Sequence, residues 1–296
     1  MSGRLNLYDR VAEGAADLVV REYSTSFGLA TRLLPAASRV EIRNIYALVR
    51  LADEVVDGAT EESGGDLETA DRLLTRLEAE TTEAIATGYS TNVLVHAFAG
   101  TARRAGFGTE LTTPFFTSMR MDLQRAVHDA ESFVAYVHGS AEVVGLMCLR
   151  VFLLDEPAAR RSARYDELAP GACALGAAFQ KINFLRDLAD DHERLGRSYF
   201  VDVDPDHLSE EQKAVILADI REDLRVARAA MAELPPGARR AVQVASALFT
   251  ELTARLAVTP AADIARTRVR VPGPVKVRVA AQALRPRRAP RAVVAG

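Results

Sequence analysis

Apolar residues recur at intervals of three and four almost from end to end of this chain, and that periodicity confines it to one fold class. Period-two alternation, the mark of a half-buried strand, is rare. The 12 prolines and 18 glycines in 296 residues leave long stretches without a breaker. The pattern predicts an all-α protein, with helices over about 8–22, 38–57, 66–86, 90–105, 111–128, 131–154, 163–191, 208–232 and 235–258. Pro35, the Gly58–Gly65 segment, Gly106–Gly108, Pro205 and Pro235–Pro236 punctuate the series. No linker or internal repeat divides it, so one helical domain is expected over residues 1–284.

The C-terminal region changes character. A short strand is arguable over Arg266–Val271 but is limited by Pro272 and Pro274, and Val275–Leu284 suits a last short helix. Residues 285–296, RPRRAPRAVVAG, are Pro/Arg-rich and expected to be disordered. The basic stretch from Arg266 to Arg291 suits either contact with anionic lipid or a solvated tail.

Composition narrows the function. A hydrophobic share of 49% with 26% charged residues fits a globular protein with a substantial core, and a net charge of -3 gives no general affinity for nucleic acid. Cys148 and Cys173 lie in apolar helical stretches without metal-ligand spacing, as small core residues of a reducing compartment. The opening MSGRLNLYDR lacks a long apolar run, and VVGLMCLRVFLL is cut by Arg150 and shorter than the ~20 apolar residues of a membrane span. A cytoplasmic protein, peripheral to a membrane at most, is the expectation.

Two acidic clusters carry the chemistry. In the first, Asp53 and Asp57 are four apart, with Arg50 one turn before Asp53, so all three share one helix face. In the second, Gln180, Asn183, Asp187, Asp190 and Asp191 fall on one face of another helix. Like charges at that spacing cost a helix a few tenths of a kcal/mol each, and more when partly buried. Apolar neighbours place both clusters at a cavity wall. Mg²⁺, which prefers carboxylate, water and phosphate oxygens, would remove the penalty. The plainer alternative, two solvated helix faces, stays open on spacing alone.

Further motifs make the chain recognisable. Tyr23-Ser24-Thr25-Ser26-Phe27 with Leu33-Leu34-Pro35, the stretch IYALVRLADEVVD, Met119-Arg120-Met121-Asp122-Leu123, the segment from Tyr136 to Gly145, and QKINFLRDLADD followed by Gly196-Arg197-Ser198-Tyr199-Phe200 stand in one order. In them the sequence resembles the phytoene/squalene synthase family along nearly its whole length. The resemblance implies an isoprenoid synthase helical bundle around a central cavity. It also implies head-to-head joining of two prenyl diphosphates through a cyclopropylcarbinyl diphosphate.

By the same resemblance Asp53, Asp57, Asn183, Asp187 and Asp191 would hold Mg²⁺, with Mn²⁺ as a substitute. Arg50, Gln180, Asn183 and Arg186 would contact diphosphate, and Ser24, Ser26 and Phe27 would lie beside the donor. Tyr136, Arg197 and Tyr199 would meet diphosphate and the developing carbocation, while Val144 and Gly145 would line the tail pocket. The chain departs from the family pattern at Glu142, where glycine is usual, and at Asp190, where glutamate is usual.

His138 reads as a packing or surface histidine. Phe115, Phe116, Phe133 and Phe179 read as core rather than as cation shields. Gly139, Ser140, Ala141 and Gly145, with Gly28, Ala30 and Thr31, are small enough to leave a deep pocket. Depth favours two geranylgeranyl diphosphates and 15-cis-phytoene, without NADPH. The alternatives are squalene or dehydrosqualene synthesis from farnesyl diphosphate, and a non-catalytic helical interaction protein. A monomer or weak dimer is expected.

Overall fold

The computed structural model describes residues 3–124 and 127–284, leaving aside the side chains of Thr25 and Ser26. The expected tail over 285–296 lies outside the described residues. The fold is all-α. Among the described residues the β-structure is confined to an isolated parallel bridge between Val127 and Ser198. The helices are α1 (Arg4–Tyr23), α2 (Thr25–Thr31), α3 (Ala36–Val56), α4 (Ala59–Glu62), α5 (Leu67–Thr87), α6 (Val93–Ala105) and α7 (Thr109–Gln124). They continue as α8 (Ala130–Val137), α9 (Val143–Phe152), α10 (Ala158–Leu195), α11 (Glu210–Glu233), α12 (Pro236–Val258), α13 (Ala261–Ile264) and α14 (Gly273–Ala283).

Local chemistry sets these boundaries. Asp66 caps α5 and Asn92 caps α6 through side-chain oxygens, while Asp129 with Ser132 and Ser209 with Gln212 form capping boxes for α8 and α11. Gly88, Gly106 and Gly196 end α5, α6 and α10 in the left-handed region that glycine enters without strain. α7 is described as far as Gln124, and the chain is no longer helical at Val127 and His128, where the helix was expected to end. Arg266–Val271, where a strand was arguable, is irregular, as Pro272 and Pro274 demand.

Two departures shape the cavity. Ser24 is extended (φ -145°) and breaks the N-terminal helix; its Oγ accepts from the Phe27 N–H at 3.2 Å and starts α2. The expected helix over 131–154 is interrupted by a π-turn at His138–Glu142. A π-turn disturbs the regular backbone ladder, and here the Ser118 hydroxyl of α7 donates to the Tyr136 carbonyl at 3.1 Å.

Burial gives two principal cores. One joins α3, α5, α6, α7 and α9 around Ile45, Leu48, Leu74, Phe98, Phe116 and Met147. The other joins α8, α10, α11 and α12 around Ile182, Leu185, Ile220, Leu224 and Leu256. Phe115 and Phe116 are core, and Phe133 packs on Phe200. Lys181 ties α10 to α11 through Asp219 at 2.6 Å and Asp223 at 2.9 Å. The runs Ala130–Phe152 and Pro236–Val258 are long and apolar enough by length and composition to cross a membrane. Of the most apolar 18-residue window in each, 50% and 39% is buried inside the protein.

Candidate active site

Between the two cores lies a cavity of about 880 Å³, walled by α2, α3, the π-turn with α9, α10, α11 and α12. Its walls are graded. Along α10 the lining passes from Leu168, Ala172 and Leu175 to Gln180, Asn183 and Asp187, and along α3 from Ile42 and Val49 to Arg50 and Asp53. At 1.5 Å per residue, Leu168 to Asp187 spans roughly 28 Å. One end suits an apolar chain and the other an anion.

Close helix contacts pack the π-turn and α9 directly against α10. A Cβ on Gly145 would stand 2.5 Å from the Ala172 carbonyl oxygen, and one on Gly176 would stand 2.5 Å from that of Ala141. A Cβ on Gly139 would collide with the Pro114 carbonyl and the Ser118 hydroxyl. Gly139 is therefore small because α7 presses against the π-turn, not to deepen the pocket as expected. Ala30, Thr31, Ser140, Ala141, Val144 and Gly145 do line the cavity. Glu142 bonds His138 at 2.8 Å and is not among the residues that line the cavity. Phe27 stacks on Tyr46 with centroids 4.6 Å apart, and Phe179 stacks on Phe249 at 3.8 Å; all four face the cavity. Ser24 lines it too, whereas the Ser26 side chain lies outside the described residues.

At the polar end Arg50 pairs with Glu54, lies 3.8 Å from Asp53 and sits 4.5 Å above the Tyr23 ring. Arg186 donates to its neighbour Asp187 at 2.8 Å. Burial, then Asp57, pushes the Asp53 carboxyl up to about 8. Burial, then Asp187 and Asp57, pushes Asp191 up to about 7. Asp57 acts on both, so the two acidic motifs face one another. The buried Asn183 Oδ1 has no hydrogen-bond partner. Crowded carboxylates with an unused amide oxygen are a hard donor set that fits Mg²⁺. Among the described residues no three acidic or imidazole groups converge tightly enough to hold a metal alone.

Tyr136, Arg197 and Tyr199, expected at the diphosphate, are not among the cavity-lining residues. They lie in a buried cluster around Asp122, because Gly196 ends α10 and turns the chain back towards α3. Arg197 then donates to the Val56 carbonyl at 2.6 Å and to Asp57 Oδ1 at 2.7 Å. Sequence reasoning gave Asp122 no role beyond its family block. The basic C-terminal stretch is a second correction: Arg268 and Arg270 before α14 and Lys276 in its first turn, expected to meet lipid or solvent, line the cavity. Arg268 Nε lies 2.7 Å from Asp187 Oδ1.

The same architecture occurs in solved proteins. A dehydrosqualene synthase superposes with a TM-score of 0.68 at 18% identity, over 93% of this chain and 96% of that one. Squalene synthase HpnC from Alicyclobacillus acidocaldarius gives 0.67 at 19% identity, over 86% and 97%. Residues 20–274 match the squalene/phytoene synthase family, to which the chain belongs. Its sequence is similar to phytoene synthase 3 of Zea mays, with 35% identity over 61% of this chain and 40% of that protein. It is also similar to 15-cis-phytoene synthase of a Paracoccus strain, with 29% identity over 61% and 57%. The match thus spans between two fifths and three fifths of the length of these curated relatives.

Proposed function

We propose that the protein is a prenyl transferase that joins two geranylgeranyl diphosphates head to head, giving 15-cis-phytoene and releasing diphosphate. The observation that carries this is the graded cavity, with an apolar channel along α9, α10 and α12 leading to Asp53 and Asp187, one carboxylate from each acidic motif, flanked by arginines. Asp53, Asp57, Asn183, Asp187 and Asp191 would hold Mg²⁺ or Mn²⁺, which when bound neutralises the leaving diphosphate. Arg50, Arg186 and Arg268 add fixed positive charge at that end. The stacked pairs Phe27–Tyr46 and Phe179–Phe249 offer π faces to an allylic cation, and the apolar walls keep water from it. NADPH has no part in this reading, because loss of a proton completes the product.

The twenty-carbon substrate is favoured by the likeness to phytoene synthases at 29–35% identity. Squalene or dehydrosqualene formation from farnesyl diphosphate is the second reading, favoured by the solved structures of like fold. The test supplies purified protein and Mg²⁺, without NADPH, with each diphosphate in turn. A forty-carbon hydrocarbon with a central conjugated triene is expected, at higher kcat/KM than any thirty-carbon product. A tenfold preference for farnesyl diphosphate, with squalene appearing only on adding NADPH, would overturn the assignment.

A further inference from the structure

Asp122 stands on the last turn of α7, its side chain only 4% exposed. Oδ2 accepts from the Tyr136 hydroxyl at 2.8 Å and Oδ1 from the Tyr199 hydroxyl at 3.2 Å. The Arg197 guanidinium lies 3.7 Å from Oδ1. Aromatic rings close the surroundings to water: Phe184 stacks on Tyr199 at 4.0 Å, and His128 lies against Tyr136 at 4.9 Å and Tyr199 at 5.8 Å. One carboxylate thus receives two phenols and faces a guanidinium, drawn from α8 and from the loop after α10.

Arg197 is shared. Its side chain is 7% exposed, and it bonds Asp57 at 2.7 Å while facing Asp122. A buried guanidinium left without a counter-charge is strongly disfavoured. If Asp57 were the only partner of Arg197, turning Asp57 to a cation would strand that charge. Asp122 removes the conflict, because it stays with Arg197 when Asp57 turns away.

We propose that Asp122 is a positioning residue that retains Arg197 and the two phenols and so frees Asp57 for the divalent cation. This inference rests on the metal reading above. Asp122 acts through Arg197, so its effect should vanish when Arg197 is absent.

The test is calorimetric titration of Mg²⁺ into protein saturated with inorganic pyrophosphate, beside near-UV circular dichroism to verify packing. Asp122→Asn should weaken Mg²⁺ binding at least tenfold and lower kcat far more than it changes KM. In an Arg197→Gln background, the same substitution should change Mg²⁺ affinity less than twofold. Unchanged affinity in folded Asp122→Asn, or an equal loss in both backgrounds, overturns the inference and leaves the functional reading standing. A wild type that binds no Mg²⁺ under these conditions overturns both. If Asp122→Asn does not fold, Asp122→Glu carries the test: it keeps the charge, so it should retain Mg²⁺ affinity within threefold, and a tenfold loss counts against the proposal.

Discussion

Arg268 and Asp187, 81 residues apart in sequence, meet at the polar end of the cavity with Nε 2.7 Å from Oδ1. Arg268 also lies 4.0 Å from Asp190. The irregular segment between α13 and α14 therefore carries a cation to one of the carboxylates proposed to bind Mg²⁺.

That pairing makes Arg268 a competitor for free metal. Replacing it with glutamine removes the competing charge while keeping much of the side chain. A part-exposed pair of this kind is worth ~1 kcal/mol, so Arg268→Gln should bind Mg²⁺ alone about fivefold more tightly. Isothermal titration without any diphosphate measures this. Weaker binding would mean that Arg268 supports the metal site instead.

Stability without divalent cations should fall as pH rises. Asp53 and Asp191 are raised from the ordinary aspartate value to about 8 and about 7. Between roughly pH 4 and 8 the native protein therefore holds protons that the unfolded chain has released, and folding loses this advantage as they dissociate. The ceiling is ~1.4 kcal/mol per pKa unit, and the effect is smaller here because the Asp53 side chain is 30% exposed. Tm measured in EDTA should be lower at pH 8 than at pH 5.5. Mg²⁺ with pyrophosphate should raise it most at the alkaline end.

Two glycines should respond oppositely to alanine. At Gly139 the new methyl meets the Pro114 backbone and Ser118, so Gly139→Ala should destabilise by ~1–3 kcal/mol, the usual range for overpacking. At Gly28 the nearest atom is a Val20 methyl at 3.9 Å, so Gly28→Ala should stabilise α2 by ~0.5–1 kcal/mol. Urea denaturation of both variants gives the comparison.

Charge removal at the acidic motifs should abolish most turnover. Asp53→Asn and Asp187→Asn should each cost at least ~100-fold in kcat, about 2.7 kcal/mol of transition-state stabilisation. EDTA should silence the wild type, and added Mg²⁺ or Mn²⁺ should restore it. Near-normal turnover in either folded variant would remove these carboxylates from the mechanism.

The acidic faces were legible because a helix converts spacing into geometry: residues three and four apart must share a face. The long helices were legible for the same reason, and breaks at Pro35, Gly106 and Pro235 fell where the punctuation put them. Arg268 was not, because its partner is 81 residues away and the alternating RTRVRV run has no helical period. Asp122 was hidden differently. On α7 it sits among core positions, and only folding brings Tyr136, Tyr199 and Arg197 to it. Gly139 and Gly145 look alike in sequence as small residues. Only the neighbouring backbone shows that Gly139 serves the α7 contact, whereas Gly145 both meets α10 and lines the cavity.

The π-turn at His138–Glu142 inserts one residue's worth of rotation, about 100°, between the part of the helix that carries Tyr136 and the part that carries Val144. It works as a phase shift between the buried Asp122 cluster and the cavity wall. Deleting any single residue from 139–141 would restore the α-helical phase and swing Tyr136 off Asp122, even if every remaining side chain were kept. Substitutions in this stretch can be judged one neighbour at a time. A change in its length cannot, because it turns one half of the site against the other.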